Sequence, residues 1–320
     1  MQVIRGLARV TVGAALLWAG VLTVLRVLQP EAGTWVRLVS FTPVALPACL
    51  LAAMLLLAGA LRRERASIGV LVLAVAGVAL HAWWLSPFYL GSAPQPADGA
   101  ERMTVMSVNL LHGAADPVQV VEEVSRREVD LLALVEVTPE ALKTMDAAGF
   151  ADLFPYRAGT AQPGVRSTTM LLSRTPLSDI DQIGTRFGTV VADVQLDAET
   201  IRVLAVHPRP PIGSSEDWRL DHAAIAESAL DADLMMGDFN ATHDHEVMMS
   251  LRDAGLRAVS ESTNSGWRPT WPMNGKGRLP LPLVQIDHVL VARKLAALEG
   301  EVVGINGTDH AAVVAELGLT

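Results

Sequence analysis

The hydrophobic pattern of this chain changes after about residue 90. Before that point it contains three nearly uncharged apolar runs, at about Val10 to Leu28, Val44 to Leu61 and Ser67 to Leu85. Each run is close to the ~20 residues that a helix needs to cross a bilayer. Beyond them, short apolar or alternating segments are interspersed with segments of helical period. The pattern predicts three transmembrane helices followed by a mixed α/β domain; buried helices of a soluble core are the alternative for the apolar runs.

The elements of the second part follow from the spacing of its apolar residues. Met103 to Asn109 alternates as a strand does, and Pro117 to Arg127 has a helical period. Thr138 followed by Pro139 is typical of an N-cap and a first helical turn. The stretch 260–284 is rich in Pro, Gly, Trp and Asn and is predicted to be a long surface loop. Further strands are predicted at Val129 to Val137, Ser167 to Ser173, Thr189 to Leu196, Thr200 to His207, Ala232 to Met236, Leu283 to Val291 and Ala311 to Leu317, and further helices at Trp218 to Leu230 and Glu246 to Ala254.

The placement of arginines predicts the orientation of the three helices. Arg5 and Arg9 precede the first run, and Arg62, Arg63 and Arg65 crowd the loop between the second and third. The positive-inside rule places both segments in the cytoplasm, so three crossings leave the rest of the chain outside. The predicted domains are a three-helix membrane anchor over 1–90, a Pro/Gly/Ala-rich linker over 91–101 and a folded outer domain over 102–320.

Charge also divides at the linker. The first 100 residues carry a net charge of +4 and the others −13, which together give the −9 of the chain. An outer domain this acidic repels long polyanions unless it has a basic groove, and no basic run is visible in it. Cys49, the single cysteine, lies in the second apolar run, so the outer domain has no disulfide. The sequence therefore predicts the lipid bilayer as a partner, disfavours nucleic acid and gives no sign of a protein partner.

Polar residues lie at the ends of the predicted outer-domain strands. They are Asn109, Glu136, His207, Asp238, Asn240, Asp287, Asp309 and His310. Oxygen atoms and imidazoles without a thiol suit Mg²⁺ or Mn²⁺ rather than a structural zinc. Such a set can hydrolyse a phosphoester, which needs an activated water, a Lewis acid and proton transfer to the leaving group. The alternatives are an edge residue paired with an arginine for Glu136, and a plain turn for Gly237-Asp238-Phe239-Asn240.

The order of these residues resembles that in the endonuclease/exonuclease/phosphatase superfamily, which contains DNase I, exonuclease III-type repair enzymes, neutral sphingomyelinases and inositol polyphosphate 5-phosphatases. The resemblance covers about residues 102–320. It implies a four-layer α/β sandwich in which these residues meet at one edge of two sheets. The motifs that carry it are the strand ending in Asn109, Val135-Glu136-Val137, Val206-His207, Gly237-Asp238-Phe239-Asn240, Ile286-Asp287-His288 and Thr308-Asp309-His310.

The resemblance also implies a divalent cation, Mg²⁺ or Mn²⁺. Glu136 would be its main ligand, with Asn109 and Asp309 beside the metal. Leu111 departs from the pattern of repair-type members, which carry an acidic residue two positions after the asparagine. A second metal position therefore lacks that ligand here.

The catalytic roles are likewise implied by the resemblance. Asp238 would orient or deprotonate the attacking water, and Asn240 would bind the phosphate. His310 would contact the phosphate while Asp287 orients it. His207 would stabilise the phosphoryl oxygens or assist the leaving group. Members of the superfamily differ on whether the residue equivalent to Asp238 or to His310 is the base.

Five other histidines are predicted to be loop or surface residues rather than ligands: His112, His222, His243, His245 and His288. Trp267 and Trp271 of the long loop would cap a substrate, touch the membrane or pack in the core.

Three crossings before an outer domain of this superfamily are similar to the VanJ-type membrane proteins of actinobacteria, which are linked to teicoplanin resistance. That similarity implies a phosphate-bearing cell-envelope substrate. We expect a membrane-anchored, extracytoplasmic phosphohydrolase acting on a phosphate ester or pyrophosphate, with undecaprenyl pyrophosphate as a candidate. The alternatives are an extracellular nuclease, a phospholipase C or sphingomyelinase-type phosphodiesterase, and a non-catalytic module that binds lipid or protein.

Overall fold

The computed structural model describes the chain apart from residues 1, 62–64, 163, 165–167 and 278–280. Arg62 and Arg63 of the predicted cytoplasmic loop, and Ser167 at the start of a predicted strand, therefore lie outside the described residues. The chain forms two compact units, Met1–Pro87 and Phe88–Thr320.

The first unit consists of helices that pack through small and apolar side chains. Leu22, Ala45 and Cys49 are buried together in its interior. Within the described residues, three stretches are long and apolar enough to cross a membrane: Gly6–Leu28, Thr42–Leu61 and Ser67–Leu85, with mean hydropathies of 1.9, 2.4 and 2.1. The helices are α1 (Gln2–Leu28), α2 (Gly33–Val39), α3 (Ala45–Leu61) and α4 (Arg65–Leu85), with a 3₁₀ turn at Thr42–Val44.

Two sheets form the framework of the second unit, and each has six strands in the described part of the chain. The first has the order β11-β12-β1-β2-β4-β3, and the second has the order β5-β6-β7-β8-β10-β9. The strands are β1 (Arg102–Asn109), β2 (Leu131–Val135), β3 (Tyr156–Gly159), β4 (Thr169–Ser173), β5 (Leu177–Ile183), β6 (Thr189–Leu196), β7 (Glu199–Val206), β8 (Leu234–Asp238), β9 (Arg257–Ala258), β10 (Asp287–Val291), β11 (Leu295–Gly304) and β12 (Ala311–Leu319).

Helices flank these sheets, and some of them begin with side-chain caps. Asp116 accepts hydrogen bonds from the backbone N–H groups of Val118 and Gln119. Thr138 accepts one from Ala141 N, which confirms its prediction as an N-cap. The helices are α5 (Pro87–Leu90), α6 (Pro117–Arg126), α7 (Pro139–Ala147), α8 (Phe150–Leu153), α9 (Ser215–Ser228), α10 (Glu246–Asp253) and α11 (Val259–Ser262), with a 3₁₀ turn at Ala229–Asp231.

Both faces of the central strands are buried. Along β1, Met103 and Val105 face the core between the two sheets, whereas Met106 and Val108 face a second core that includes α6. Alternate side chains of a strand point to opposite faces, so a strand buried on both sides reads as an apolar run. This arrangement confirms the predicted α/β sandwich of two sheets.

The strands that the sequence pattern did not predict are β3, β5, β9 and β11. Nearly every side chain of β5 is exposed, so its sequence lacks an apolar alternation. β10 begins at Asp287 rather than Leu283, because Val284 instead forms an isolated bridge with Trp271.

Residues before β1 are also held against the second unit. Phe88 is buried, and Gly266 N donates to its carbonyl oxygen at 3.0 Å. Within the predicted linker, Ala97 N donates to Leu319 O at 2.8 Å, and Asn264 Nδ2 donates to Gly91 O at 3.0 Å. The predicted limits at 90 and 101 remain predictions; the division into compact units falls between Pro87 and Phe88.

Candidate active site

The eight predicted site residues lie along a common edge of the two sheets. Asn109 ends β1 in register with Val135 of the parallel strand β2, so Glu136 follows at the same edge. In the other sheet, β7 and β8 run parallel and β10 pairs antiparallel with β8, which sets Asp287 opposite Asp238. Strand topology thus gathers residues that are far apart in sequence. His207, Asn240, Asp309 and His310 follow or precede strands at this edge.

Gly237 is required where β8 approaches β7. Its φ of +148° is accessible mainly to glycine, and a Cβ atom there would lie 2.0 Å from the carbonyl oxygen of Val206. The close approach brings Asp238 to the end of the strand with 1% of its surface exposed.

Asn109 links the two sheets through its side-chain amide. Its Nδ2 donates to Asp238 Oδ2 at 3.1 Å and lies 3.4 Å from Glu136 Oε1. Its Oδ1 accepts from Leu111 N at 2.9 Å, which fixes the orientation of the amide. Asn109 therefore fixes the separation of two carboxylates that belong to different sheets.

Asp287 and His310 form a buried pair. His310 Nδ1 lies 2.9 Å and 3.1 Å from the two carboxylate oxygens of Asp287, the contact that the resemblance implies. Burial lowers the pKa of His310, but the carboxylates of Asp287 and Asp238 outweigh this effect and raise it above its usual value. His310 is therefore a cation at neutral pH, and its Nε2 points to the site, 3.8 Å from Asp238 Oδ2.

Unlike His310, which is held in its charged form, Asp238 and His207 are each shifted towards the neutral form. Burial raises the pKa of Asp238 despite the attraction of His310. Burial, with further contributions from His310 and His112, lowers the pKa of His207 to about 3. His207 Nε2 lies 3.7 Å from Glu136 Oε1 and 3.8 Å from Asp238 Oδ2. A neutral imidazole and a basic carboxylate thus share one face of the site.

Helix α9 holds the turn that carries Asn240. Trp218 Nε1 donates to Asn240 O at 3.1 Å, and His222 Nε2 contacts Phe239 O at 3.0 Å. The Asn240 side chain donates to Pro208 O at 3.0 Å, which ties this turn to the loop after His207. Asn240 itself has a φ of +48°, a conformation that asparagine tolerates.

Glu136, Asn109 and Asp309 are the residues that would hold a hard cation, because they offer oxygen ligands at the same edge of the sheets. Asp309 Oδ1 is buried and has no hydrogen-bond partner among the described residues, whereas its Oδ2 accepts from Trp271 Nε1 at 3.0 Å. Buried carboxylate oxygens are paired or bound to metals. Asp309 Oδ1 lies 3.9 Å from His310 Nε2, beyond hydrogen-bond distance, so it can still act as a ligand. When bound, the cation supplies Lewis-acid stabilisation of phosphoryl oxygens.

A second group of potential ligands is the trio of Asp238, Asp287 and His310, whose ligand atoms all lie within 4.8 Å of one another. His310 Nδ1 and both oxygens of Asp287 are already engaged with each other. This trio is therefore better suited to proton transfer and phosphate binding than to holding the metal.

Several of these contacts were not predicted from the sequence. His112, predicted as a loop or surface residue, is half-exposed but contacts Glu136 at 2.7 Å. The prediction of a loop or surface position is wrong for His222 and His288, which lie in α9 and β10 and are at most 3% exposed. His245 lies in the loop before α10, as predicted, although it is buried there. The sequence left open whether Trp271 caps a substrate, touches the membrane or packs in the core. In the structure its Nε1 donates to Asp309 Oδ2 at 3.0 Å. The contact of His112 depends on the positive φ angles of Leu111, His112 and Gly113. The sequence alone does not show these angles, so it gave no signal for this contact.

The arrangement is suited to attack of a water on a phosphorus atom. Asp238, with its raised pKa, can accept a proton from a water, and cationic His310 can bind a phosphoryl oxygen. His207 stays neutral and can donate a hydrogen bond through Nε2. The residues thus divide into a basic carboxylate, a charged donor and a neutral donor.

Residues 106–310 match the Endonuclease/Exonuclease/phosphatase family. The fold is similar to that of a family member from Beutenbergia cavernae (TM-score 0.54, 15% identity, 68% of this chain and 72% of that chain). It is also similar to D. rerio TDP2 complexed with single strand DNA product (0.56, 16%, 68% and 99%) and to a family member from Bacteroides vulgatus (0.54, 12%, 68% and 99%).

No curated protein is significantly similar to this chain. Members of the matched family are generally metal-dependent hydrolases with phosphodiesterase, nuclease or phosphatase activity. Because the match extends over more than half of the chain and ends at His310 of the site, the chain belongs to the endonuclease/exonuclease/phosphatase family.

Proposed function

We propose that the protein is a membrane-anchored, Mg²⁺- or Mn²⁺-dependent phosphohydrolase whose catalytic unit faces outward and acts on a lipid phosphate or pyrophosphate of the cell envelope. The observation that carries the proposal is a phosphate-cleaving site on a chain with three membrane-length helices. Undecaprenyl pyrophosphate is the candidate substrate, and a role in teicoplanin resistance, as in VanJ-type proteins, would follow from its turnover.

Chain connectivity supports a substrate in the bilayer. Only Ser86 and Pro87 separate Leu85, where the third membrane-length stretch ends, from Phe88, which is buried in the second unit. A short tether raises the effective concentration of membrane-borne substrates and gives dissolved ones no advantage.

Charge supports a small phosphate group over a long polyanion. The residues after 100 carry a net charge of −13. Arg209, two positions after His207, is engaged by Asp217 at 2.8 Å and Asp221 at 3.2 Å, so it adds little positive field at the site. One phosphate or pyrophosphate can be neutralised by a divalent cation with His310. A nuclease is the second candidate, because the similar D. rerio TDP2 structure contains a single strand DNA product.

The test is phosphate release by the full-length protein in detergent with Mg²⁺ and undecaprenyl pyrophosphate, with plasmid DNA in parallel. Asp238→Asn should reduce release by roughly 10²–10⁴-fold, the scale of a lost general base. Asp181→Asn on exposed β5 is the matched control and should leave the rate unchanged. DNA nicking without release from the lipid would contradict the proposal and favour the nuclease.

A further inference from the structure

The carboxylate of Glu136 has two oxygens in different surroundings. Oε2 accepts from the backbone N–H of His112 at 2.9 Å and lies 2.7 Å from His112 Nδ1. Oε1 lies towards the centre of the site, 3.4 Å from Asn109 Nδ2 and 3.7 Å from His207 Nε2. His112 therefore occupies one oxygen and leaves the other for a ligand.

The backbone on both sides of this contact is strained. Leu111 and His112 have φ values of 46° and 52°, and Glu136 has a φ of 57°. Left-handed conformations of such residues are unfavourable and persist only where the surroundings enforce them. Here the turn is held by Asn109 Oδ1, which accepts from Leu111 N, and by Gly113, where a Cβ would lie 2.5 Å from Thr138 Oγ1. This strained turn places the imidazole of His112 in contact with the carboxylate of Glu136.

We propose that His112 is a positioning residue that makes Glu136 a monodentate metal ligand through Oε1 and thereby favours Mg²⁺ over larger cations. The inference rests on the proposed metal-dependent function. Mg²⁺ requires near-octahedral geometry with short bonds, whereas Ca²⁺ accepts six to eight oxygens and readily takes both oxygens of one carboxylate. Occupying Oε2 with two donors removes the bidentate mode that Ca²⁺ would use.

Two substitutions separate the imidazole donor from the backbone turn. His112→Asn places Nδ2 at the same distance from the backbone as Nδ1, and asparagine tolerates the left-handed region. His112→Gly also fits this φ but removes the donor. Leu111→Gly is the matched control, because it loosens the same turn and leaves the imidazole in place.

The experiment measures ion binding rather than turnover. Mn²⁺ binding to the full-length protein in detergent is followed by electron paramagnetic resonance, and Mg²⁺ and Ca²⁺ are titrated as competitors. His112→Gly should weaken Mg²⁺ binding about 10–100-fold, the usual effect of losing a residue that orients a metal ligand. Ca²⁺ binding should fall less, so the Mg²⁺/Ca²⁺ preference should drop at least tenfold. His112→Asn and Leu111→Gly should retain the wild-type preference.

The outcomes distinguish this inference from the proposed function. An unchanged preference in His112→Gly, or an equal loss for all three ions, would overturn the positioning role while metal binding by the wild type stands. Loss of a nitrogen coupling to Mn²⁺ in His112→Asn would also overturn it, since His112 would then be a direct ligand. Failure of the wild type to bind any of the ions would instead remove the metal-dependent function itself.

Discussion

Single residues in the site differ in protonation because burial acts differently on each one. Asp287 and His310 compensate each other at 2.9 Å, so a charged imidazole is stable at 6% exposure. The carboxylates that the described residues bring to His207 lie 3.7 and 3.8 Å away, and its pKa falls to about 3 because it is buried. The same residue type thus supplies a cationic and a neutral donor, each with its Nε2 3.8 Å from Asp238 Oδ2.

The pairing of Asp287 with His310 predicts non-additive kinetics. His310→Ala and Asp287→Asn should each lower kcat by roughly 10²–10⁴-fold, because one removes the donor and the other its orientation and charge. The double substitution should cost little more than His310→Ala alone, since residues that act as a unit are not additive. Phosphate release by the four proteins tests this; additive losses would show that the two side chains act separately.

At the residue scale, the sequence gives the site's composition but not its supporting contacts. The strand-end motifs could be recognised because each joins a polar residue to an apolar run. The Trp271 contact with Asp309 and the His112 contact with Glu136 join segments 38 and 24 positions apart. No local pattern encodes such tertiary contacts.

Helix α9 shows how one element supports two loops. Trp218 and His222, one turn apart, contact the carbonyl oxygens of Asn240 and Phe239. Asp221 accepts from the backbone N–H of Arg209 at 2.9 Å. The helix therefore fixes both the loop after His207 and the turn after Asp238. Its apolar period predicted the helix, but not that its polar residues face inward.

The buried His222 predicts a loss of stability in acid. Burial lowers its folded-state pKa from 6.5 to about 3. The unfolded chain therefore binds a proton below pH 6.5 that the folded chain refuses until about pH 3. Its stabilising contribution is complete above pH 6.5 and is lost progressively as the pH falls towards 3. One such proton costs ~1.4 kcal/mol per pH unit, or roughly 2 kcal/mol at pH 5.

His222→Gln tests this assignment, because Gln Nε2 can donate to Phe239 O but does not titrate. Thermal unfolding of the full-length protein in detergent should give similar midpoints for both proteins at pH 8. At pH 5 the wild type should unfold about 4–8 °C below the variant, after allowance for the domain size. If the two proteins unfold at the same midpoint at pH 8 and also at pH 5, His222 does not cause this pH dependence.

Whether a strand could be predicted from the sequence depends on how many of its side chains are buried. β6 was predicted with its exact limits, Thr189–Leu196, because most of its side chains are buried. β5 and β11 lie at sheet edges and carry exposed polar residues, so their hydrogen bonds are set by a partner strand rather than by a pattern.

The whole molecule combines an apolar first unit with an acidic second one. Hydropathy over about 20 residues indicates membrane-length helices because a bilayer core has a fixed thickness. The side of the membrane depends on a few charges, and Arg62 and Arg63 lie outside the described residues. The orientation that the arginines indicate therefore remains a prediction.

Orientation can be measured with the single-cysteine chemistry that this chain offers. Cys49 is 3% exposed in the first unit. Replacing it by serine gives a cysteine-free background, in which a single introduced thiol reports the side of the membrane on which it lies. Asp98→Cys lies in an exposed part of the predicted linker, and Gln2→Cys precedes Arg5 at the predicted cytoplasmic end. Because positively charged flanks are retained in the cytoplasm, a membrane-impermeant thiol reagent should label Asp98→Cys on intact cells and Gln2→Cys only after lysis. The reverse pattern would place the catalytic unit in the cytoplasm, where it meets a different leaflet, and the outer-leaflet lipid substrate would be excluded.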